Sequence, residues 1–291
     1  MKPKIMKQIR LILQECKTED WLSYLQSNRP GGSICDVVID FNHMDFIVPF
    51  QIVSLACLIE EYYLFDGKVS FADCSNKKVC SYLDQIGLFD YWPTQDKEYP
   101  PDGKETTFGL WKVSSNMISS YTAKYDEFFE RNFFNDLDTA PFSTCLSEAF
   151  NNIFDHSNSK VSGYTLSQYY PQKRKINISV CDFGMGISKA VQSIHPCDDG
   201  SAIEKAVELG FTTGSPRNRG FGLDNLLNIA KVTGGHLSIY SNSGAFFEGQ
   251  NEPRKTFSGR KTFSGTLVAI ELDTTKLDPM DIDNSKEKWY N

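Results

Sequence analysis

Histidine is scarce in this chain, four in 291 residues, and His43, His195 and His236 have no neighbours at metal-ligand spacing. That leaves them as surface or loop residues rather than ligands. No two cysteines stand at CxxC spacing. Cys16, Cys35, Cys57, Cys74, Cys80, Cys145, Cys181 and Cys197 therefore suggest neither a zinc site nor a regular disulfide framework, and reduced, mostly buried thiols are expected. Long apolar runs are missing too: Phe46–Leu58 is interrupted by Pro49, Gln51 and Ser54 and is too short to span a bilayer. There is no basic surplus. Lys and Arg number 30 against 37 Asp and Glu, the net charge is −7 and the cations are scattered, which argues against a nucleic-acid surface. Met1–Arg10 is basic but is followed by Glu15, Glu19 and Asp20, not by an apolar signal core, so a cytoplasmic location without a membrane partner is expected.

Familiar phosphate-binding fingerprints are incomplete. Gly244-Ala-Phe-Phe-Glu-Gly249 has P-loop spacing, but Gln250 and Asn251 stand where Lys and Ser/Thr are needed. Gly220-Phe-Gly222-Leu-Asp-Asn225 lacks the third glycine of a dinucleotide site, and no apolar strand precedes it. Internal repeats and heptad arrays are absent.

What is present is the balance of a globular protein: 40% hydrophobic and 23% charged residues, at a length suited to two ordinary domains or one large one. Residues 1–35 are expected to form a helical segment. Over 36–95, strands and helices alternate: Val37–Asp40 and Lys68–Ala72 read as strands, Gln51–Tyr63 and Asn76–Ile86 as helices, with Gly87 as a stop. Pro93, Pro100, Pro101 and Gly103 break the pattern and mark a linker over 96–104. Beyond it, Ile118–Phe134 is an aromatic-rich helix, and Asp138 or Thr139 can cap a helix opening at Pro141 and running to His156. A hairpin (162–170 and 175–181), a helix (223–232) and strands at 236–241 and 266–273 complete a unit over 105–275. The tail, 276–291, is polar and expected to be loose.

Four short motifs carry chemistry. Glu148, Asn152 and His156 are four apart and form one ridge of a helix beside the apolar set Phe142, Cys145, Leu146, Ala149, Phe150 and Ile153. An Asn152 amide oxygen suits Mg²⁺, a hard ion that takes few protein ligands, and Glu148 can orient or deprotonate water or a hydroxyl. Asp182-Phe-Gly184-Met-Gly186 follows a strand. A carboxylate there accepts from the exocyclic amine of adenine and repels the carbonyl of guanine, while the glycines allow close backbone approach; the same residues also suit an ordinary turn. In the third motif, Gly210-Phe-Thr212-Thr213-Gly214 precedes Arg219-Gly220-Phe-Gly222-Leu223, so that N–H groups at a helix start, hydroxyls and guanidinium groups can meet phosphates. Gly265-Thr266 opens the last strand, where the hydroxyl can reach a base or a water near Asp182.

In order and approximate spacing these motifs resemble the N, G1, G2 and G3 boxes of the gyrase, heat-shock-chaperone, histidine-kinase and MutL (GHKL) ATPases, over roughly residues 105–275. The resemblance implies a Bergerat α/β sandwich, one mixed sheet with helices on one face. It makes ATP and Mg²⁺ the cofactors, Asn152 the metal ligand, Asp182 the adenine reader and 188–222 a mobile lid. Gly184, Gly186, Thr212, Thr213, Arg219, Gly220, Gly222, Leu223 and Thr266 become nucleotide-binding. The Glu148-x3-Asn152-x3-His156 pattern looks most like the anti-sigma-factor serine kinases, in which the glutamate is the general base. No phosphoacceptor helix pair precedes the site and no transducer domain with a catalytic lysine follows it. Residues 36–95 resemble a STAS domain in Val37–Asp40, Phe46-Ile-Val-Pro-Phe50 and Tyr82-Leu-Asp-Gln-Ile-Gly87-Leu-Phe89. Val48-Pro49-Phe50 replaces that family's Asp-Ser-type phosphorylation site, and Ser54 lies within the helix. The fold class implied is thus α/β in two domains, STAS-like then GHKL. The function implied is an ATP-dependent regulatory protein, a serine/threonine kinase or slow ATPase acting on a protein partner, or self-associating through residues 36–95. The alternative is a non-catalytic, nucleotide-gated interaction switch.

Overall fold

A computed structural model describes residues 7–31, 35–92, 102–156, 163–208 and 222–280. Burial alternates along Gln8–Gln14 within a strand, β1 (Lys7–Gln14), and the helical expectation for 1–35 holds only for α1 (Thr18–Ser27). Next come β2 (Cys35–His43), α2 (Pro49–Leu64) and β3 (Val69–Phe71), and β1-β2-β3 form a parallel sheet. Asn76 caps α3 (Lys77–Gln85) by accepting the Lys78 N–H. Gly87, at φ 76°, ends that run ahead of α4 (Leu88–Tyr91).

The second sheet contains β4 (Gly103–Lys104), β5 (Thr107–Lys112), β6 (Tyr164–Tyr170), β7 (Lys175–Asp182), β8 (His236–Gly249) and β9 (Lys255–Asp273), in the order β4-β5-β6-β7-β9-β8. Every neighbouring pair is antiparallel, so the mixed sheet expected over 105–275 is antiparallel throughout. One face is covered by α5 (Ile118–Asn132), α6 (Ala140–His156) and α9 (Gly222–Val232), with α7 (Ile187–Gln192) and α8 (Asp199–Ala206) at its β8 end. Tyr121, Tyr125 and Phe129 of α5 are fully buried there, and Trp111 stacks on Tyr121 at 4.3 Å. Asp138 caps α6 through the Ala140 N–H at 2.9 Å.

Helices on one face only were expected, yet the second face is covered as well. α2 is apolar nearly all round, as befits a helix buried on every side, and α1 and α2 lie between the two sheets. Leu11, Ile39, Leu55 and Leu58 share a core with Tyr164, Leu166, Cys181, Phe183 and Leu267 of the antiparallel sheet. Two carboxylates in this layer are paired: Glu60 takes Lys112 Nζ at 2.6 Å, and Glu61 takes Arg29 Nη2 at 2.5 Å.

Four further expectations are corrected. Within the anticipated lid, 188–208 is packed structure: Val191, Ala202, Ile203 and Val207 lie in the core, and Ser188 Oγ donates to the Ser241 carbonyl. Residues 209–221 lie outside the described part. The last two strands run far beyond 236–241 and 266–273, into a long hairpin whose Gly244 leaves room for the Asp199 carbonyl, 2.6 Å from where a Cβ would stand. The tail is docked as far as Met280, whose N–H donates to the Asp136 carbonyl, and Leu277 is buried. Cys74 and Cys80, expected as thiols, form a disulfide. Among the described residues no helix is long and apolar enough to cross a membrane.

Candidate functional site

Two of the four motifs meet where α6 and the start of α9 adjoin. Glu148 and Asn152 lie on one face of α6, above Cys145, Leu146 and Ala149, which anchor the helix in the core. Gly222, the first residue of α9, comes so close that a Cβ on it would stand 3.2 Å from Glu148 Oε2 and 3.6 Å from both polar atoms of the Asn152 amide. One turn later, Asn225 Nδ2 donates to Glu148 Oε1 at 3.5 Å. Asn152 Nδ2 is buried without a hydrogen-bond partner, an arrangement that costs free energy unless something else engages the amide. Leu223 is buried in the core, so only its backbone can serve a ligand.

Asp182 ends β7, on the same face as Ile176, Ile178 and Val180 by strand alternation and hence on the side of α6 and α9. It is 3% exposed. Burial pushes its carboxyl up to about 7, against the opposing pull of the Gly184 and Thr266 backbone N–H groups. The Gly184 N–H reaches Asp182 Oδ1 at 2.6 Å. Gly186 has φ 83°, and a Cβ there would fall 2.5 Å from Ser241 Oγ.

Thr266 pairs with Asp182 across β9 and β7, and its Oγ1 accepts the Ile187 N–H at 3.2 Å. The hydroxyl therefore holds the start of α7. Gly265, at φ 140°, passes so near the Asp182 carbonyl oxygen that a Cβ would lie 2.1 Å from it. Ser241 pairs with Thr266 but Asn242 pairs with Phe263, which makes Ser264 and Gly265 a bulge in β9. Thr212, Thr213, Arg219 and Gly220 lie outside the described residues.

Sequence reasoning did not single out Ser241, nor Gln26 and Arg29 of the α1 end. Asn225 had a signal, lying three residues beyond Gly222 and so on its face of α9. Chemically, a carboxylate and an amide nitrogen without a partner beside the start of an 11-residue helix can hold an anion together with a hard cation. Among the described residues no group of three or more His, Cys, Asp or Glu side chains could hold a metal by itself, so any cation here would depend on ligand oxygens. No protein-family model matches this chain, and no curated protein sequence matches it.

Proposed function

We propose that the chain is a Mg·ATP-binding regulatory protein of the GHKL type, acting in the cytoplasm on a protein partner through a C-terminal nucleotide site joined to a STAS-like N-terminal unit. The observation that carries this reading is the convergence of Glu148, Asn152 and Gly222 at the start of α9. An orphaned amide, a carboxylate and a glycine at a helix N-terminus together suit a metal-bound polyphosphate better than they suit packing. Asp182 would accept from the adenine amine, and Gly186 and Gly265 leave room for the backbone beside it. The Asn152 amide oxygen would hold Mg²⁺, which supplies charge neutralisation at the phosphates. The N–H groups at the start of α9 would meet the phosphates, Thr212, Thr213, Arg219 and Gly220 are assigned to them by the resemblance alone, and Glu148 would orient or deprotonate the attacking hydroxyl or water.

The test is calorimetric titration with Mg·ATP and Mg·GTP. Binding of ATP with a clear preference over GTP is expected, with the affinity weakened and the preference lost in Asp182→Asn; equal affinities overturn the reading. One observation favours a second reading, a nucleotide-gated switch without turnover. Asn225 Nδ2 of α9 already donates to Glu148 Oε1 at 3.5 Å, so the carboxylate is engaged within the protein.

A further inference from the structure

The bulge at Ser264 and Gly265 leaves backbone groups without ladder partners beside the proposed base site. The Gly265 carbonyl accepts from Ser241 Oγ at 3.1 Å. Both backbone polar groups of Ser264 are taken by residues at the end of α1. Its N–H donates to Gln26 Oε1 at 2.9 Å, and its carbonyl accepts from Arg29 Nη1 at 3.3 Å. The same guanidinium lies 4.8 Å from the ring centre of Phe183, the residue after Asp182, and is forked onto Glu61 of α2 at 2.7 and 2.5 Å. Next to it, Tyr62 of α2 donates to the Asn28 carbonyl at 2.6 Å. A continuous chain of contacts therefore runs from α2 through Arg29 to Phe183, next to Asp182, and to Ser264, two residues before Thr266.

We propose that the end of α1 is a positioning latch: Gln26 and Arg29 fix the Ser264–Gly265 bulge and Phe183, and so couple the seating of the N-terminal unit to occupancy of the nucleotide site. This rests on the ATP reading above and adds its regulation. A bulge held by its own sheet would be indifferent to α1; this one changes whenever α1 shifts. Coupling is reciprocal, so nucleotide that prefers the latched edge also tightens α1, and a partner that draws α1 away weakens nucleotide binding.

The experiment uses the full chain, with Mg·ATP affinity measured for wild type, Arg29→Ala and Arg29→Lys, and with hydrogen exchange over 18–29 followed with and without Mg·ATP. Arg29→Ala is expected to raise Kd about tenfold, within the usual range for coupled sites. Arg29→Lys, which keeps the charge over Phe183 but cannot fork, is expected to recover part of the loss. Exchange over 18–29 is expected to slow on ATP addition in wild type and to be unresponsive in Arg29→Ala. A residue that only supports the fold would lower Tm and leave Kd and the exchange response intact, and that result overturns the latch. Should Arg29→Ala fail to fold, the wild-type exchange decides: slowing over 18–29 supports the latch and unchanged exchange overturns it. Wild type that binds no adenine nucleotide overturns both the latch and the ATP reading, whereas binding with an Arg29→Ala Kd within twofold of wild type overturns the latch alone.

Discussion

Gly222 and Glu148 touch across the gap between α9 and α6, with room for a hydrogen but hardly for a methyl group: a Cβ on Gly222 would stand 3.2 Å from Glu148 Oε2. The obstacle is the end of a flexible side chain, which can give by the few tenths of an ångström required. Gly222→Ala is therefore expected to change stability by no more than about 0.5 kcal/mol. It should weaken Mg·ATP binding, because the displaced carboxylate is pushed toward the space claimed for phosphate. Thermal melts and calorimetry of the same sample check both halves.

Glu148 and Asn152 are expected to fail differently. Glu148→Ala should leave ATP affinity nearly intact while reducing phosphate release or transfer by roughly 10²–10⁴-fold, the usual worth of a positioned base. Asn152→Ala should instead abolish the Mg²⁺ dependence of binding. Wild-type turnover that survives Glu148→Ala removes the general base. Wild type without turnover in the presence of partner leaves the switch reading.

Asp182 gives two pH dependences of opposite sign. Its carboxyl is raised by burial from 3.8 to about 7, so between those values the folded chain holds a proton that the unfolded chain has lost. The stability contributed by this group is complete below the lower value and is lost as pH rises through about 7. Adenine recognition needs the charged form, so ATP affinity should rise about tenfold from pH 6 to pH 8 as deprotonation completes. Asp182→Asn should flatten both curves, and comparing the two proteins cancels the nucleotide's own titration.

The apolar layer between the sheets predicts cooperativity. Leu55 is fully buried on α2 in the core shared with Tyr164 and Leu267. Leu55→Ala is expected to cost about 2–5 kcal/mol and to lower one common unfolding transition, followed by calorimetry. Two separable transitions, only one of them shifted, would contradict a shared core.

Thiol counting tests the Cys74–Cys80 bond. Under denaturing, non-reducing conditions the six free cysteines should alkylate, and all eight after reduction. Eight labelled without reductant would remove the disulfide.

Local signals were legible in the sequence. The polar ridge Glu148–Asn152, the strand-ending Asp182 and the glycine start of α9 lie on the elements their spacing indicated. α2 was legible as a helix, and its near-complete apolarity already asked for two covers. Tertiary pairings were not legible. Nothing near Gln26 or Arg29 points to Ser264, because that contact exists only once a bulge exposes the Ser264 backbone. The hairpin over 242–265 was missed because Ser, Asn and Gly residues resemble turns, whereas here they permit α8 to lie close. Asp198 and Gly200 read as loop in the same way, although Ala202, Ile203 and Val207 behind them fill the core.

The position of α2 bears on how the chain is made. Its sixteen residues leave the ribosome early, while the strands that cover its second face begin at Tyr164 and end at Asp273. At synthesis rates of about 5–20 residues per second, this sticky helix waits roughly 5–20 s for the first of those strands. During that interval its bare face is a natural ligand for a chaperone, and slowed translation between 65 and 163 should raise the fraction of chain lost to aggregation.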